Sequence, residues 1–215
     1  MEEYTWMVFA DFDGTITEQE TLEAFLELLL EEDIRTVGEQ MAQKGYTVKQ
    51  GVQELFGRVT AGRYREHLSF FDGLSLRPGF AKFVEILAKR RVPLVVISGG
   101  IREMVEQNLA PFQDRILAVY AGEADLSSGF VRFWSPFETE EEIVGKRQVM
   151  DRYRWKHAIC IGDSYTDFRM AEAATYVFAR DRLAAMMKKK GKPYFEYETF
   201  YDIIKQLPDI LEGTG

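Results

Sequence analysis

At 215 residues, with 46% hydrophobic and 13% aromatic side chains, the chain has the apolar material for a substantial core, which excludes a disordered linker or tail. A formal net charge of −8 excludes nucleic acid and an anionic membrane as principal partners. It leaves room for a small anionic substrate held by a local field. The length suits one domain carrying an insertion, or two unequal ones. Cys160 is the single cysteine, so an internal disulfide and a cysteine metal cluster are both excluded; it reads as buried filler. The N-terminus "MEEYTWMVFADF" has neither the shape of a signal peptide nor that of a membrane span, and no apolar run reaches about 18 residues. A cytoplasmic enzyme or binding protein, monomeric or homodimeric, is the expectation.

In chain order, the first apolar run is "WMVFA" (6–10), ending in Asp11-Phe12-Asp13-Gly14-Thr15. More than sixty residues then pass before the next strand–helix unit. "QETLEAFLELLLEEDIRTVGEQMAQKG" and "VKQGVQELFGRVTAGRYREHLSFF" predict three or four helices with Gly breaks. That is more chain than one crossover needs, so residues 17–77 read as an inserted helical module. "PGFAKFVEILAKRR" opens at Pro78 and predicts a helix, followed by the run "VPLVVIS" (92–98), which ends in Ser98-Gly99-Gly100 and leads straight into another helix. "RILAVYA" (115–121) predicts a strand, and Ser-Ser-Gly within 120–136 predicts a hairpin. "HAICIG" (157–162) ends in Gly162-Asp163-Ser164, with Asp167 one turn on, and "TYVFA" (175–179) follows. The runs lack polar alternation, as strands buried on both faces do, and helical stretches separate them. The fold class is therefore α/β, a doubly wound parallel sheet, with the core formed by 1–16 and 78–215.

Ligands of such sheets bind beyond the carboxyl ends of the strands. Singly, each polar strand end has an ordinary explanation: Asp163 as a helix cap, Ser-Gly-Gly as a tight turn, Lys146 as a solvated helix lysine. Together they predict Asp11, Asp13, Asp163 and Asp167 gathered at one edge. Their mutual repulsion calls for a cation, and clustered hard oxygen donors favour Mg²⁺.

"DFDGT", "VVISGG", the lysine of "VGKRQVMD" and "IGDSYTD" match, in order, the four motifs of the haloacid dehalogenase superfamily, which the chain resembles over nearly its whole length. The resemblance implies a Rossmann-like core with a cap and a hairpin flap. It implies a nucleophilic Asp11 and an acid–base Asp13. Phosphate would be held by Ser98, Gly99, Gly100 and Lys146, and Mg²⁺ by Asp11, Asp13 and Asp163, with Thr15, Gly162, Ser164 and Asp167 in support. The chemistry agrees: a carboxylate can attack phosphorus and split one hydrolysis into two steps. Asp13 would protonate the leaving alkoxide; dehalogenases of the superfamily lack that aspartate. The expected partner is a small phosphorylated metabolite.

Two families within the superfamily compete for the substrate. Like phosphoserine phosphatases, the chain has Glu20 where a glutamate meets the substrate amine and Arg58 near where an arginine meets its carboxylate. The same residues serve equally well as a helix cap and a solvated arginine. "GVQELFG", "PGFAKFVEILAKRRVPLVVISGG" and "FARDRL" more closely resemble the 2-hydroxy-3-keto-5-methylthiopentenyl-1-phosphate phosphatases of methionine salvage, although the cysteine-rich stretch frequent in that family is absent from "SPFETEEEIVGK". Phe70, Phe71 and Phe133 read as core. Trp134 reads as a residue lining the gap between cap and core, and Arg77 as either a substrate contact or a solvated hinge residue. A phosphomutase and a non-catalytic phosphate-ester binding protein are the alternatives.

Overall fold

The computed structural model describes residues 3–212. Strand β1 (Glu3–Ala10) is followed by four helices: α1 (Thr21–Leu30), α2 (Ile34–Gln43), α3 (Val48–Gly57) and α4 (Ala61–Glu66). A 3₁₀ turn at Leu68–Phe71 closes this group. Asp33, Thr47 and Thr60 stand at the N-caps of α2, α3 and α4, each accepting from a backbone N–H three residues on. These side chains explain where the helices begin, because they satisfy amides that have no partner within the first turn. Phe25 packs on Tyr64 and Phe71 with ring centroids 5.6 and 4.5 Å apart, so the group has a small aromatic core of its own, as read for Phe71. The entering and leaving chains pair antiparallel at Thr17 and Leu76.

The remainder is α5 (Phe80–Lys89), β2 (Leu94–Ile101), α6 (Arg102–Leu109), β3 (Ala118–Asp125), β4 (Arg132–Trp134), α7 (Lys146–Met150), β5 (Arg154–Gly162), α8 (Phe168–Ala173), β6 (Tyr176–Ala179), α9 (Asp181–Lys190), β7 (Phe195–Glu196) and α10 (Phe200–Glu212). The seven strands run in the order β4-β3-β2-β1-β5-β6-β7, all parallel except the β3–β4 hairpin. Residues 6–10 of β1, 94–98 of β2 and 158–162 of β5 are all buried, as a sheet covered by helices on both faces requires. The strand ends bearing Asp11, Ser98 and Asp163 are therefore neighbours, since β2 and β5 flank β1.

Two expectations need correction. Strand β2 runs through Gly99 and Gly100 to Ile101, and α6 begins only at Arg102. The Ser-Gly-Gly amides thus belong to an irregular strand end, where pairing with β3 shifts register between Ile97 and Ile101, and not to a helix N-terminus. Arg77 is neither hinge surface nor substrate contact. It is 7% exposed, and its guanidinium donates to the carbonyls of Thr15 (2.8 Å), Gly14 (2.6 Å), Thr17 (3.1 Å) and Glu198 (3.2 Å). A long side chain from the far end of the insertion thereby clamps the loop after β1, satisfying carbonyls that a tight buried turn leaves without partners.

The helical insertion rests on the hairpin and on the loop that follows it. Val131 N–H donates to Val59 carbonyl and Ala61 N–H to Gly129 carbonyl, both at 2.9 Å. The Phe56 and Phe133 rings lie 4.5 Å apart. Lys49 pairs with Glu138 at 2.6 Å, and Gln53 donates to Phe133 carbonyl at 3.1 Å. Trp134, by contrast, is exposed and does not line the gap.

Candidate active site

Asp11 follows β1 and keeps the sheet pattern for one more residue, its N–H donating to Ile161 carbonyl at 3.0 Å. The chain then turns back on itself: Ile16 and Thr17 both donate to Phe12 carbonyl. Gly14 makes this possible with a φ of +70°, and a Cβ there would lie 2.6 Å from an Asp163 carboxylate oxygen. Only glycine meets both demands.

Lys146, at the start of α7, is 2% exposed and bridges two carboxylates, Asp11 at 2.5 Å and Asp167 at 2.6 Å. Burial alone would lower its pKa; Asp11 and Asp167 outweigh that and hold it well above the ordinary lysine range, so the ammonium is charged. Asp167 is fully employed. Its other oxygen accepts from the N–H groups of Asp163 (3.0 Å) and Ser164 (2.9 Å), fixing the turn after β5. Asp163 in turn accepts from the Thr15 hydroxyl at 2.9 Å, which ties that turn to the loop after β1.

Asp13 looks elsewhere. One of its oxygens accepts from the N–H and the hydroxyl of Thr21, the first residue of α1, and the other from the Ser98 hydroxyl at 3.2 Å. Ser98 Oγ also accepts from Gly100 N–H at 2.9 Å. Removal from water raises the Asp13 pKa to about 6 against the opposing Ser98 bond, a value suited to a group that must both give and take a proton.

Oxygens of Asp11, Asp163 and Asp167 all lie within 4.8 Å of one another. The Asp13 side chain does not join this set, so of the expected metal ligands the structure gathers the carboxylates of Asp11 and Asp163 but not that of Asp13. Negative charge here exceeds what Lys146 neutralises. Burial foremost, then Asp167 and Glu20, pushes Asp163 up to about 7. Glu20 is exposed as a whole residue, yet its carboxyl hydrogen-bonds Asp163. Desolvation, then Asp11 and Asp13, lifts it likewise to about 7. Hard oxygen donors with surplus charge fit a divalent cation.

The consequence for the metal-free protein can be measured. Asp163 titrates near 4 in the unfolded chain and near 7 in the fold, so the folded state binds the extra proton. Stability from this site is present in full below about pH 4 and is lost as pH rises through 7. In EDTA, the melting temperature should be higher at pH 6 than at pH 8.5 by about 5 °C. Mg²⁺ should narrow the gap by stabilising the ionised form at pH 8.5, and scanning calorimetry at both pH values decides.

Above these groups a cleft of about 180 Å³ lies between the helical insertion and the sheet edge, floored by Asp11, Asp13, Gly99, Gly100 and Lys146. Glu20 reaches it, and so do Leu22, Val48, Val52 and the loop residues Glu142 to Val144. Arg58 does not, because its guanidinium pairs with Glu32, so the structure separates the two residues expected to read an amino acid. The α3 valines and Glu142 were missed in the sequence, where a valine pair reads as core and "ETEEE" as a solvated charge run. Thr21 was missed too, since nothing local marks it as the partner of Asp13.

A 2-hydroxy-3-keto-5-methylthiopentenyl-1-phosphate phosphatase of Microcystis aeruginosa is 33% identical over 203 residues, covering 94% of this chain and 97% of its own. One of Brevibacillus brevis is 30% identical over 214 residues, covering 96% of each. A substrate-bound phosphoserine phosphatase shares the fold with a TM-score of 0.72 at 14% identity, covering 95% of this chain and 99% of its own. The family description "haloacid dehalogenase-like hydrolase" matches residues 8–172. The chain belongs to the haloacid dehalogenase-like hydrolases.

Proposed function

We propose that the protein is a Mg²⁺-dependent phosphomonoesterase acting through an aspartyl-phosphate. The observation that carries this reading is the division of labour between the two motif aspartates. Asp11 faces the cleft from a buried ion pair with Lys146, while Asp13, two residues on, is held apart by Thr21 and Ser98 with its pKa near 6. Asp11 attacks phosphorus, and the bond to the ester oxygen breaks. Asp13 protonates the departing alkoxide and then takes a proton from the water that cleaves the acyl phosphate. Burial foremost, then Asp167 and Asp163, pushes the Asp11 pKa well above the usual carboxylate range; Lys146 opposes that rise, aims the carboxylate and places positive charge beside the transferring group. A bound Mg²⁺, held through Asp11 and Asp163, would offset the negative charge of carboxylates and phosphate. Residues 17–77 act as the cap that excludes water during the reaction. A cytoplasmic setting is consistent with this reading; no helix among the described residues is long and apolar enough to cross a membrane.

The substrate supported best is 2-hydroxy-3-keto-5-methylthiopentenyl-1-phosphate, named for relatives that align over nearly the whole chain. Phosphoserine is disfavoured because Arg58 is turned away to Glu32. The test is an ester panel. EDTA should abolish turnover and Mg²⁺ restore it, and the methylthiopentenyl ester should exceed phosphoserine in kcat/KM. Activity indifferent to chelation, or a preference for phosphoserine, would overturn the reading.

The role of Asp13 has its own signature. Asp13→Asn should slow hydrolysis of alkyl phosphates by about 10²- to 10⁴-fold, the usual worth of a general acid. It should slow p-nitrophenyl phosphate far less, because nitrophenolate leaves without a proton. Equal losses on both would show that Asp13 only positions its neighbours.

A further inference from the structure

Five residues of the cleft wall are aliphatic: Leu22 from α1, Val48 and Val52 from α3, and Ile143 and Val144 from the loop before α7. Val48 and Val52 stand four residues apart and so share one face of their helix. Val48 is 45% exposed, an aliphatic side chain left open toward this space. Beyond it the cleft continues: Glu20, Leu22, Val48 and Val52 also line a second cavity of about 400 Å³ under α1, α2 and α3, whose deeper wall includes Leu26, Ile34, Met41 and Leu55. The two spaces thus share the aliphatic face of Leu22, Val48 and Val52, which continues under the cap beside the charged side chains of Glu23, Arg35, Glu39 and Arg182.

Charge in the cleft is as one-sided as its apolar surface. Lys146 is its one cation among the described residues, and that ammonium is engaged by Asp11 and Asp167. On the wall stand two carboxylates, Glu20 and Glu142. No residue paired with the Glu142 carboxylate by hydrogen bond or salt bridge is found among the described residues; only its backbone is anchored, the N–H donating to the Thr139 hydroxyl at 2.8 Å and the carbonyl accepting from Thr139 N–H at 3.0 Å. Arg169, which also acts on Glu142, is paired with Glu141 at 2.9 Å, so a substrate carboxylate entering here would meet Glu20 and Glu142 with the nearby cations already engaged.

Resting on the phosphatase reading above, we propose that Val48, Val52 and Glu142 are the specificity determinants. The two valines seat an uncharged, apolar tail at the mouth of the cap cavity, and Glu142 rejects esters that carry a carboxylate. Such a site, mostly apolar with a few placed polar groups, has the usual make-up of a small-ligand pocket. Its selectivity is differential: attraction toward one tail and repulsion of another.

The experiment uses the Mg²⁺-loaded protein and a series of ethyl, butyl and hexyl phosphate, with 3-phospholactate as the anionic ester and p-nitrophenyl phosphate as the reference. In the unmodified protein kcat/KM should climb about threefold to fourfold per methylene, as burial of each CH₂ requires. The Val48→Thr/Val52→Thr variant preserves shape while placing hydroxyls on the seat, and it should flatten that slope. Glu142→Gln should raise 3-phospholactate relative to p-nitrophenyl phosphate about tenfold or more, the scale of removing one nearby charge at intermediate dielectric. A flat chain-length series, or a slope untouched by the threonines together with an unchanged phospholactate ratio in Glu142→Gln, overturns the assignment. Should the double variant not fold, the wild-type slope and the Glu142→Gln ratio still decide. Hydrolysis of p-nitrophenyl phosphate without tail dependence removes this proposal alone; no hydrolysis of any ester removes the phosphatase reading with it.

Discussion

Replacing Asp11 by Asn should leave a folded protein that turns over p-nitrophenyl phosphate at least about 10³-fold more slowly than the parent. The amide is nearly isosteric, so packing at this 3% exposed position is kept. What disappears is the anion that attacks phosphorus. Lys146 loses one of its two carboxylate partners but keeps Asp167 at 2.6 Å, so its charge stays paired and the melting temperature should change little. Steady-state turnover and calorimetry on the same preparation separate the two effects. A variant retaining substantial activity would remove Asp11 as nucleophile, and one that unfolds would show that the Asp11–Lys146 pair is first of all structural.

Lys146→Met should do the opposite in kind, losing stability and activity together. The ammonium is 2% exposed between two buried carboxylates. Methionine fills much of the same space but leaves Asp11 and Asp167 facing each other without a counter-ion. Breaking a buried pair in this way costs about 3–5 kcal/mol, which for a chain of this size lowers the melting temperature by about 10 °C or more. Asp167 also holds the amides of Asp163 and Ser164, so its reorientation should carry the turn after β5 with it. Turnover should fall by about 10³-fold, the scale seen when one preorganised charge is removed from a reacting group. High Mg²⁺ should recover part of the melting temperature and little of the rate. Calorimetry across a Mg²⁺ titration is the measurement, and a variant as stable as the parent in EDTA would contradict the burial argument.

The residues at strand ends were visible because three short apolar runs each stop at a polar residue, and a doubly wound sheet brings such ends to one edge. Asp11, Asp163, Asp167 and Ser98 gather for that reason. The Ser98 region was misread in detail. Two glycines resemble a turn into a helix, but the backbone of Gly99 and Gly100 stays in the strand to Ile101, where irregular pairing with β3 outweighs local preference. The hairpin at β3–β4 was legible from Ser-Ser-Gly. Strand β7, of two residues, was not, being too short to carry a pattern.

The cap was legible as helices and illegible as a surface. Amphipathic spacing marks the helices, and capping side chains mark the starts of α2, α3 and α4, because those signals are local. Which face meets the core depends on contacts between residues far apart in sequence. Arg58 lies one residue beyond α3, and its charge turns to Glu32, 26 residues earlier. Arg77, beside a proline at the end of the insertion, looks like hinge surface; its four carbonyl partners come from the loop after β1 and from Glu198, more than a hundred residues on. Val48 and Val52 resemble any buried valine pair until the loop before α7 is placed opposite them.

Composition, the order of the strand-end motifs and their spacing were enough to determine the α/β class, the inserted helices and the set of carboxylates with one lysine, since these rest on periodicity and on the topology of a parallel sheet. Tertiary structure alone decided how that set divides. Lys146 lies between Asp11 and Asp167, and Asp13 turns to Thr21 and Ser98. Glu20 stays in the cleft while Arg58 leaves it. The physical reason is that each outcome is a competition among partners for one charge or one hydrogen bond, and the partners become neighbours only when the chain is folded.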